Sequence, residues 1–444
     1  MSISPARRTA FQILKKVILE DGYASELLHS ESNKPLKDED KRLATELVFG
    51  VLRHGLLLDW ILSTHSQRNL RKLDPEVLLS LRLGVYQICF LSRVPPRAVV
   101  YESVELVKKA KLVSAAGYVN AILRKIDKHQ VQARIDQLSL DSVEELSIRY
   151  SHPEWLVRKW VKRFGLQSTK RLLEHNNISP SIFFRINSPH LSYATLIDKL
   201  AEAGVKVRAH ALSSDILEVI EGDLQKTGVF SDHAVHIQDS GSQLIPRLLR
   251  PEPVDRCLDL CAGPGGKASQ IALLQGGRAV VWAVDLHWHR LRLGRHLHAS
   301  HWPCLQWVAA DATRPLPFNT LFDKILLDAP CSGTGTLQRR PEIRWRLREA
   351  QLAEFQELQI SLLRNAMTSL KPGGSLVYST CSLEPEENEL VIEKFIGAQT
   401  GYWLDSPSDE VLKPFFESSP FMNLFPPQTN TNGLFAAVIR KKGS

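Results

Sequence analysis

The sequence predicts a multidomain chain: an all-helical bundle first, then a small α+β unit, and last a doubly wound α/β domain. Apolar residues recur at helical spacing as far as about residue 128. Near residue 180 the pattern changes to short strands around one helix, and from about 236 short apolar runs alternate with helical segments. We therefore divide the chain into a helical domain (1–130), a helical linker (131–177), an α+β unit (178–235) and an α/β domain (236–444).

The helical domain is predicted from its apolar stripes. Ser4-Pro5 is typical of a helix start, because proline is tolerated in the first turn. Pro95-Pro96 interrupts the pattern, and two further helices are expected near 97–112 and 115–127. The stripes are Phe11, Leu14 and Ile18; Leu43, Leu47, Val51 and Leu52; and Val77, Leu78, Leu81, Val85 and Ile88.

The strands of the two later regions are predicted from runs of β-branched and apolar residues. In the α/β domain these runs are continuous rather than alternating, which suits a parallel sheet covered on both faces. Helices are expected at 192–203 and 350–370. The predicted strands are Ile182–Ile186, Val205–Ala209, Ile216–Ile220, Val254–Leu260, Ala279–Val284, Leu305–Ala310, Leu321–Leu327 and Ser375–Ser379.

The composition excludes several classes of protein. Fifty-six Lys and Arg against 48 Asp and Glu give a net charge of +8, which agrees with a nucleic-acid partner without requiring one. The six cysteines form no C-x-x-C pair and no zinc-like spacing with histidine, so we expect no metal and no disulfide scaffold. No apolar run reaches the roughly 18 residues that a membrane span needs, and no secretory signal is visible. We expect a cytoplasmic, reduced protein without a membrane partner.

A glycine-rich loop between a strand and a helix predicts a nucleoside cofactor. It consists of Cys261, Ala262, Gly263, Pro264, Gly265, Gly266 and Lys267. Glycines permit a tight turn close to a ligand, and the helix start that follows favours an anion. Asp285 and Asp311 end the next two predicted strands, where they could hold ribose hydroxyls and an adenine amino group.

Two other classes of nucleotide-binding protein use glycine-rich loops. Gly263, Gly265 and Ala268 also satisfy the G-x-G-x-x-A dinucleotide pattern, so a nicotinamide-dependent dehydrogenase stays open from the loop alone. A phosphate-binding NTPase loop is excluded, because Lys267 is followed by alanine rather than by serine or threonine.

Two cysteines stand at equivalent places after two other strands. Asp328 and Cys331 follow one strand and Cys381 follows the next, so all three are expected at the edge where an α/β sheet binds ligands. A thiolate that adds to carbon 6 of cytosine makes carbon 5 electron-rich enough to accept a methyl group, and a carboxyl group at N3 favours the addition. A single cysteine is more often an inert core thiol, and a rim disulfide is disfavoured in the cytoplasm. A thiol has a usual pKa of about 8.5, so Lys267 is a candidate source of the charge that lowers it.

Three motifs resemble the Sun-type family of RNA cytosine-5 methyltransferases. They are the loop Cys261–Lys267, the segment Asp328–Gly335, and Ser379–Ser382 with Glu386-Glu387-Asn388. The resemblance covers all three regions and implies a NusB-like RNA-binding bundle, a ferredoxin-like subdomain and a Rossmann-like class I methyltransferase domain. Gln238–Gln243 resembles the family's entry motif, although Asp239 or Ser240 could equally be a helix cap.

The resemblance implies a function and a role for each site residue. Cys381 would be the nucleophile, Cys331 would assist product release, and Asp328 would contact the cytosine edge. The loop 261–267, Asp285, Asp311 and Asp328 would hold S-adenosylmethionine. The substrate would be 16S ribosomal RNA, with transfer RNA or another RNA as the alternative. Apart from the resemblance, we expect a monomer. Gly263 departs from the alanine that is common in the family, and we expect it only to add flexibility.

An arginine-rich segment follows the Cys331 loop. Five arginines and Trp345 lie within 339–348, and Arg339, Arg340 and Arg344 are predicted to contact RNA phosphates. The alternative is a solvated helix face. The same two interpretations remain open for Lys108, Lys109, Lys111, Arg124 and Lys125.

Two other functions account for less of the sequence. A dehydrogenase leaves both cysteines unexplained. A non-catalytic RNA-binding scaffold does not account for the intact set of Cys381, Asp328 and Lys267.

Overall fold

The computed structural model describes residues 3–29, 36–407 and 409–443. They form two compact units. The first comprises the described residues up to Ser179 together with Leu337–Glu349, and the second comprises Pro180–Thr336 and the described residues from Ala350 onward. The segment Leu337–Glu349 thus belongs to the first unit, although along the chain it separates two parts of the second.

The helices of the described residues are numbered in chain order. They are α1 Pro5–Leu19, α2 Ala24–His29, α3 Asp38–Arg53, α4 Gly55–His65, α5 Pro75–Phe90, α6 Pro96–Lys109, α7 Ala116–Arg124, α8 Lys128–Asp136, α9 Val143–Tyr150, α10 Glu154–Phe164, α11 Leu166–His175, α12 Tyr193–Glu202, α13 Gly228–Ser231, α14 Ile245–Leu248, α15 Gly266–Leu274, α16 Trp288–His298, α17 Ile343–Arg346, α18 Gln351–Thr368, α19 Glu389–Gly397 and α20 Pro426–Thr429.

The strands follow the same order. They are β1 Phe183–Ile186, β2 Lys206–His210, β3 Ser213–Glu221, β4 Val235–Ile237, β5 Cys257–Leu260, β6 Val281–Asp285, β7 Leu305–Ala309, β8 Phe322–Asp328, β9 Leu370–Thr380, β10 Tyr402–Asp405, β11 Met422–Leu424 and β12 Leu434–Lys441.

The first unit is helical, as its apolar spacing predicts. Pro5 stands at the first turn of α1, and the Asp74 carboxylate caps α5 by accepting the Glu76 N–H at 3.0 Å. The predicted stripes pack into one core, with Leu14, Leu47 and Leu81 fully buried. Ile18 is the exception, because it lies on the outer side of α1 and is 39% exposed.

No single helix among the described residues is long and apolar enough to cross a membrane. Within the described ranges, one pair of helices, α3 and α4, reaches that length and composition when taken together, and the two helices meet at a bend of 77°. Much of this helix pair is buried in the core of the first unit.

The smaller sheet of the second unit is antiparallel, with the order β2-β3-β1-β4. Its core includes Phe184 of β1, Leu196 of α12 and Leu217 of β3. Three of its strands and its helix were predicted from the sequence. The fourth strand, β4, has three residues and was not predicted, because its short run carries little periodic signal.

The larger sheet has the order β10-β12-β9-β8-β5-β6-β7, with β11 paired to β12. The five strands β5 to β9 are parallel, and β12 pairs antiparallel with β9. Core clusters cover both of its faces, which explains the continuous apolar strands. The doubly wound prediction is confirmed, although β10, β11 and β12 were not foreseen. Because β5 to β9 are parallel, their carboxyl ends share one edge of the sheet.

Candidate active site

The two cysteines singled out in the sequence lie side by side. The Sγ atoms of Cys331 and Cys381 are 3.1 Å apart, and both residues are half-buried thiols outside any disulfide. Strands β8 and β9 pair in parallel with Asp328 opposite Ser379, so the two loops leave the sheet together. Beyond the strands, the Gly335 N–H donates to the Cys381 carbonyl at 3.0 Å and keeps the loops in register.

The surroundings of Cys331 favour its neutral thiol. The contact with the Cys381 sulfur, burial and the negative charges of Cys381 and Glu387 all raise the pKa of Cys331 well above its usual value. Cys331 therefore carries its proton at neutral pH, which suits a group that handles a proton rather than one that attacks carbon.

Lys267 and Asp328 form an ion pair beside the thiols. The Lys267 Nζ atom lies 2.6 Å from Asp328 Oδ2, and the Ser379 hydroxyl donates to Oδ1 at 2.8 Å. Burial acts to lower the pKa of Lys267, but the charge and hydrogen bond of Asp328, with smaller contributions from Asp259 and Cys381, raise it overall. Lys267 thus remains cationic, and it lies near enough to Cys381 to interact with that sulfur electrostatically. Ser379 was not singled out from the sequence as a partner of Asp328.

The glycine-rich loop makes the tight turn that its composition predicts. Cys261 and Gly265 have left-handed φ angles of 62° and 92°, and the Gly265 N–H donates to the Ala262 carbonyl at 2.6 Å. A Cβ atom on Gly265 would lie 2.4 Å from the Trp307 ring, so only glycine fits there. Helix α15 begins immediately afterwards, at Gly266.

An arginine from the smaller sheet forms hydrogen bonds with the first turn of α15. Arg185 of β1 is 4% exposed and donates to the Gly266 carbonyl at 2.5 Å and to the Ser269 hydroxyl at 2.8 Å. The smaller sheet therefore helps to position the residue next to Lys267. No sequence motif marked Arg185, because its partners lie about 80 residues away along the chain.

Asp285 ends β6 as predicted, and a neighbouring arginine covers it. Its Oδ2 atom accepts the Gly263 N–H and the Arg290 Nη1 hydrogen, both at 3.0 Å, while Oδ1 accepts the His287 N–H at 2.9 Å. Arg290 also donates to the Gly263 carbonyl at 2.5 Å. The Arg290 side chain is 44% exposed, so it can turn toward solvent and leave Asp285 to other donors.

Asp311 lies two residues beyond β7, and its side chain is 37% exposed. It accepts the N–H of Thr313 at 2.9 Å and the hydroxyl of that residue at 2.6 Å. Carboxylates at the ends of neighbouring parallel strands, with the N–H groups of the glycine loop, suit a nucleoside that carries an amino acid. No group of three or more His, Cys, Asp or Glu side chains in the described ranges is arranged to hold a metal ion.

Gly263 has a packing role that the sequence did not reveal. A Cβ atom there would lie 2.7 Å from Arg290 Cβ and 2.8 Å from Asp285 Oδ2. We therefore expect Gly263→Ala to weaken S-adenosylmethionine binding about tenfold, or ~1.4 kcal/mol, because Asp285 must shift. Titration calorimetry measures this. Gly263→Ala combined with Arg290→Gly, which removes the Cβ atom at 2.7 Å, should recover part of the loss. Full affinity in the single variant would contradict the packing argument.

The arginine-rich segment belongs to the first unit, and the prediction for Arg344 is wrong. Arg344 is 1% exposed, and its guanidinium donates to the carbonyls of Arg53, Ser151 and Asn176. These internal bonds, rather than RNA phosphates, occupy its donors. Arg340 is exposed and stacks over the Tyr23 ring at 5.6 Å, whereas Arg339 is half-buried.

Comparison with known proteins agrees with this architecture. Residues 246–440 match the family model for the 16S rRNA methyltransferases RsmB/F. Residues 4–128 match the NusB family, and 152–222 match the ferredoxin-like domain of RsmF/B-like methyltransferases. These matches set aside the nicotinamide-dependent dehydrogenase and identify S-adenosylmethionine as the cofactor.

Two relatives and one solved structure resemble the whole chain. A protein of Bacillus subtilis (strain 168) named "Probable ribosomal RNA small subunit methyltransferase B" is 33% identical, with 100% of both chains covered. Ribosomal RNA small subunit methyltransferase B of Klebsiella pneumoniae (strain 342) is 32% identical, with 98% of each chain covered. The crystal structure of PH0851 matches with a TM-score of 0.83 at 25% identity, over 99% of this chain and 100% of that one. The chain therefore belongs to the ribosomal RNA small subunit methyltransferase B family of S-adenosylmethionine-dependent enzymes.

Proposed function

We propose that this protein transfers a methyl group from S-adenosylmethionine to carbon 5 of a cytosine in 16S ribosomal RNA through a covalent bond between Cys381 and carbon 6. The observation that carries the proposal is the placement of Cys381, which lies 3.1 Å from the Cys331 sulfur beside the Lys267–Asp328 ion pair. The names of the relatives support ribosomal RNA as the substrate. A cytosine in transfer RNA is the alternative.

The residues around the glycine-rich loop would bind the cofactor and the cytosine. The loop 261–267, Asp285, Asp311 and Asp328 would hold S-adenosylmethionine, which supplies an electrophilic methyl group when bound. Asp328 sits between Lys267 and Ser379, so its carboxylate is held in one orientation toward the edge of the cytosine ring that carries N3. The carboxylate would accept a hydrogen bond from N3 once N3 has taken up a proton from solvent, and a protonated N3 draws electron density from carbon 6 and favours attack there.

The cysteines act at the two ends of the reaction. Cys381, stabilised as a thiolate by the Lys267 ammonium, adds to carbon 6 and turns the ring into an enamine whose carbon 5 is nucleophilic. After methyl transfer, the proton on carbon 5 leaves, the double bond between carbons 5 and 6 forms again, and the bond from carbon 6 to sulfur breaks. The neutral thiol of Cys331 lies close enough to assist this last step.

Binding of the RNA is assigned to basic side chains of the first unit. Lys108, Lys109, Lys111, Arg124 and Lys125 are exposed, as is Arg340. They would bind the phosphates of the RNA. The target base would flip out of its stack to reach Cys381. We propose that the protein works as a monomer in the cytoplasm, where ribosomal RNA is assembled.

The substrate is tested with unmodified 16S ribosomal RNA and tritiated S-adenosylmethionine. We expect label to appear as 5-methylcytidine after digestion to nucleosides, and bisulfite sequencing should place it at a defined cytosine. Transfer RNA serves as the control and should receive little label. Label confined to transfer RNA would favour the alternative, and label in another nucleoside would refute cytosine-5 chemistry.

A further inference from the structure

A buried glutamate joins the loops that carry the two cysteines. Glu387 lies in the short 3-10 turn Pro385–Glu387 and is 0% exposed. Its Oε1 atom accepts the Ser332 N–H at 2.7 Å and the Gln359 amide at 3.2 Å. Its Oε2 atom accepts the hydroxyls of Ser332 and of Ser382, the latter at 2.5 Å. One carboxylate therefore holds the residue that directly follows each cysteine.

The glutamate is itself held from several sides. The Tyr378 hydroxyl donates to the Glu387 carbonyl at 2.6 Å. The next residue, Asn388, donates to the Ser382 carbonyl at 2.9 Å and accepts the Thr380 hydroxyl at 2.5 Å. Gln359, besides its bond to the carboxylate, donates to the Pro330 carbonyl at 2.9 Å. These contacts give the Pro-Glu-Glu-Asn motif a physical function that the sequence did not assign to it.

The charges on either side distinguish the two sulfurs. Burial raises the pKa of Glu387 above its usual value, and the hydrogen bonds from Ser332, Ser382 and Gln359 limit that rise. As an acceptor of four hydrogen bonds, two of them from N–H groups, it is bonded as a carboxylate. Its negative charge acts on Cys331, and the positive charge of Lys267 acts on Cys381. The two thiols are only 3.1 Å apart, yet Glu387 is hydrogen bonded to the backbone N–H that directly follows Cys331.

We propose that Glu387 is a positioning residue for product release: it holds Cys331 as a neutral thiol within reach of the Cys381 sulfur. This inference rests on the proposed function. In the release step, water takes the proton from carbon 5, and the electrons of that C–H bond form the double bond between carbons 5 and 6. The bond between carbon 6 and the Cys381 sulfur breaks, and its electron pair goes to that sulfur. The Cys331 proton moves to the Cys381 sulfur, and the Cys331 thiolate regains a proton from solvent.

The test is Glu387→Gln, which preserves shape and removes the charge. We expect the covalent protein–RNA adduct to form at nearly the wild-type rate and to accumulate on denaturing gels, while turnover falls about 10²-fold. Without the carboxylate charge the pKa of Cys331 falls. The alkaline limb of the turnover profile should therefore move to lower pH. Cys331→Ala is the reference for a trapped adduct, and Glu393→Gln, an exposed position on α19, should behave as wild type.

Other outcomes would overturn the proposal. If Glu387→Gln has wild-type turnover and the alkaline limb of its pH profile does not move, the charge of Glu387 has no role in product release. Loss of adduct formation together with turnover, in a variant that melts normally and still binds S-adenosylmethionine, would make Glu387 a support of the fold alone. If Glu387→Gln does not fold, Ser332→Ala is measured, and it must show slower release with intact adduct formation. If Cys381→Ala still methylates cytosine, the proposed function fails instead, whatever Glu387→Gln does.

Discussion

Cys381→Ala is expected to abolish methyl transfer to cytosine, with a fall in the single-turnover rate of about 10⁴-fold or more, which corresponds to about 5 kcal/mol of lost transition-state stabilisation. The reason is that carbon 5 of cytosine is a poor nucleophile until sulfur has added to carbon 6. Removal of this sulfur leaves the Lys267–Asp328 ion pair intact. Lys267 then has no thiolate to stabilise. Transfer of tritiated methyl groups to unmodified ribosomal RNA measures the loss.

The controls for this prediction distinguish a loss of methyl transfer from a loss of cofactor binding. Cys381→Ala should bind S-adenosylmethionine as tightly as wild type in calorimetry, because the loop 261–267 does not depend on that sulfur. Cys304→Ala removes another half-buried thiol, one outside the site, and should remain active. A Cys381→Ala enzyme whose single-turnover rate is within tenfold of the wild-type rate would contradict the covalent mechanism.

Cys331→Ala is expected to leave the enzyme bound to its RNA. The Cys381 nucleophile and its cationic neighbour Lys267 remain, so addition and methyl transfer proceed. The thiol 3.1 Å from Cys381 is then missing from the release step. We expect an adduct that survives denaturing gels to rise from a trace to about one RNA per protein, and multiple turnover to fall about 10²- to 10⁴-fold.

The adduct is measured by gel shift after denaturation, with labelled RNA and with Cys331→Ala, Cys381→Ala and the double variant in parallel. The double variant should give no adduct, because in the proposed mechanism Cys381 makes the bond to RNA. An adduct that requires Cys331 and forms without Cys381 would mean that the two cysteines have exchanged roles.

Much of the architecture was visible in the sequence. Strand-to-helix alternation after residue 236 and the glycine-rich turn before Lys267 are local patterns, and each was found where it was expected. The placement of Asp328, Cys331 and Cys381 at one edge followed as well, because parallel strands end on the same side of a sheet. The antiparallel strands β10 and β11 were not predicted, because four and three residues carry little periodic signal, and the longer strand β12 was missed as well.

Side-chain partners could not be inferred in the same way. The arginine run at 339–348 has the composition of an RNA-binding segment, yet Arg344 is enclosed among backbone carbonyls of the first unit. Gly263 was expected only to add flexibility, but it makes room for Arg290 and Asp285. Glu387 belonged to a recognised motif, but the sequence assigned no role to it. Its hydrogen bonds to Ser332 and Ser382 show that it connects the two cysteine loops.

The amino-acid order alone thus determined the three-part architecture, the glycine-rich turn and the placement of two cysteines at one sheet edge, because hydrophobic periodicity, turn residues and strand ends are local properties. The folded chain established which charge faces which sulfur: Lys267 acts on Cys381 and Glu387 on Cys331. These interactions arise from packing between segments far apart along the chain. Charge interactions depend on distance, and no local pattern of residues records the distances between such segments.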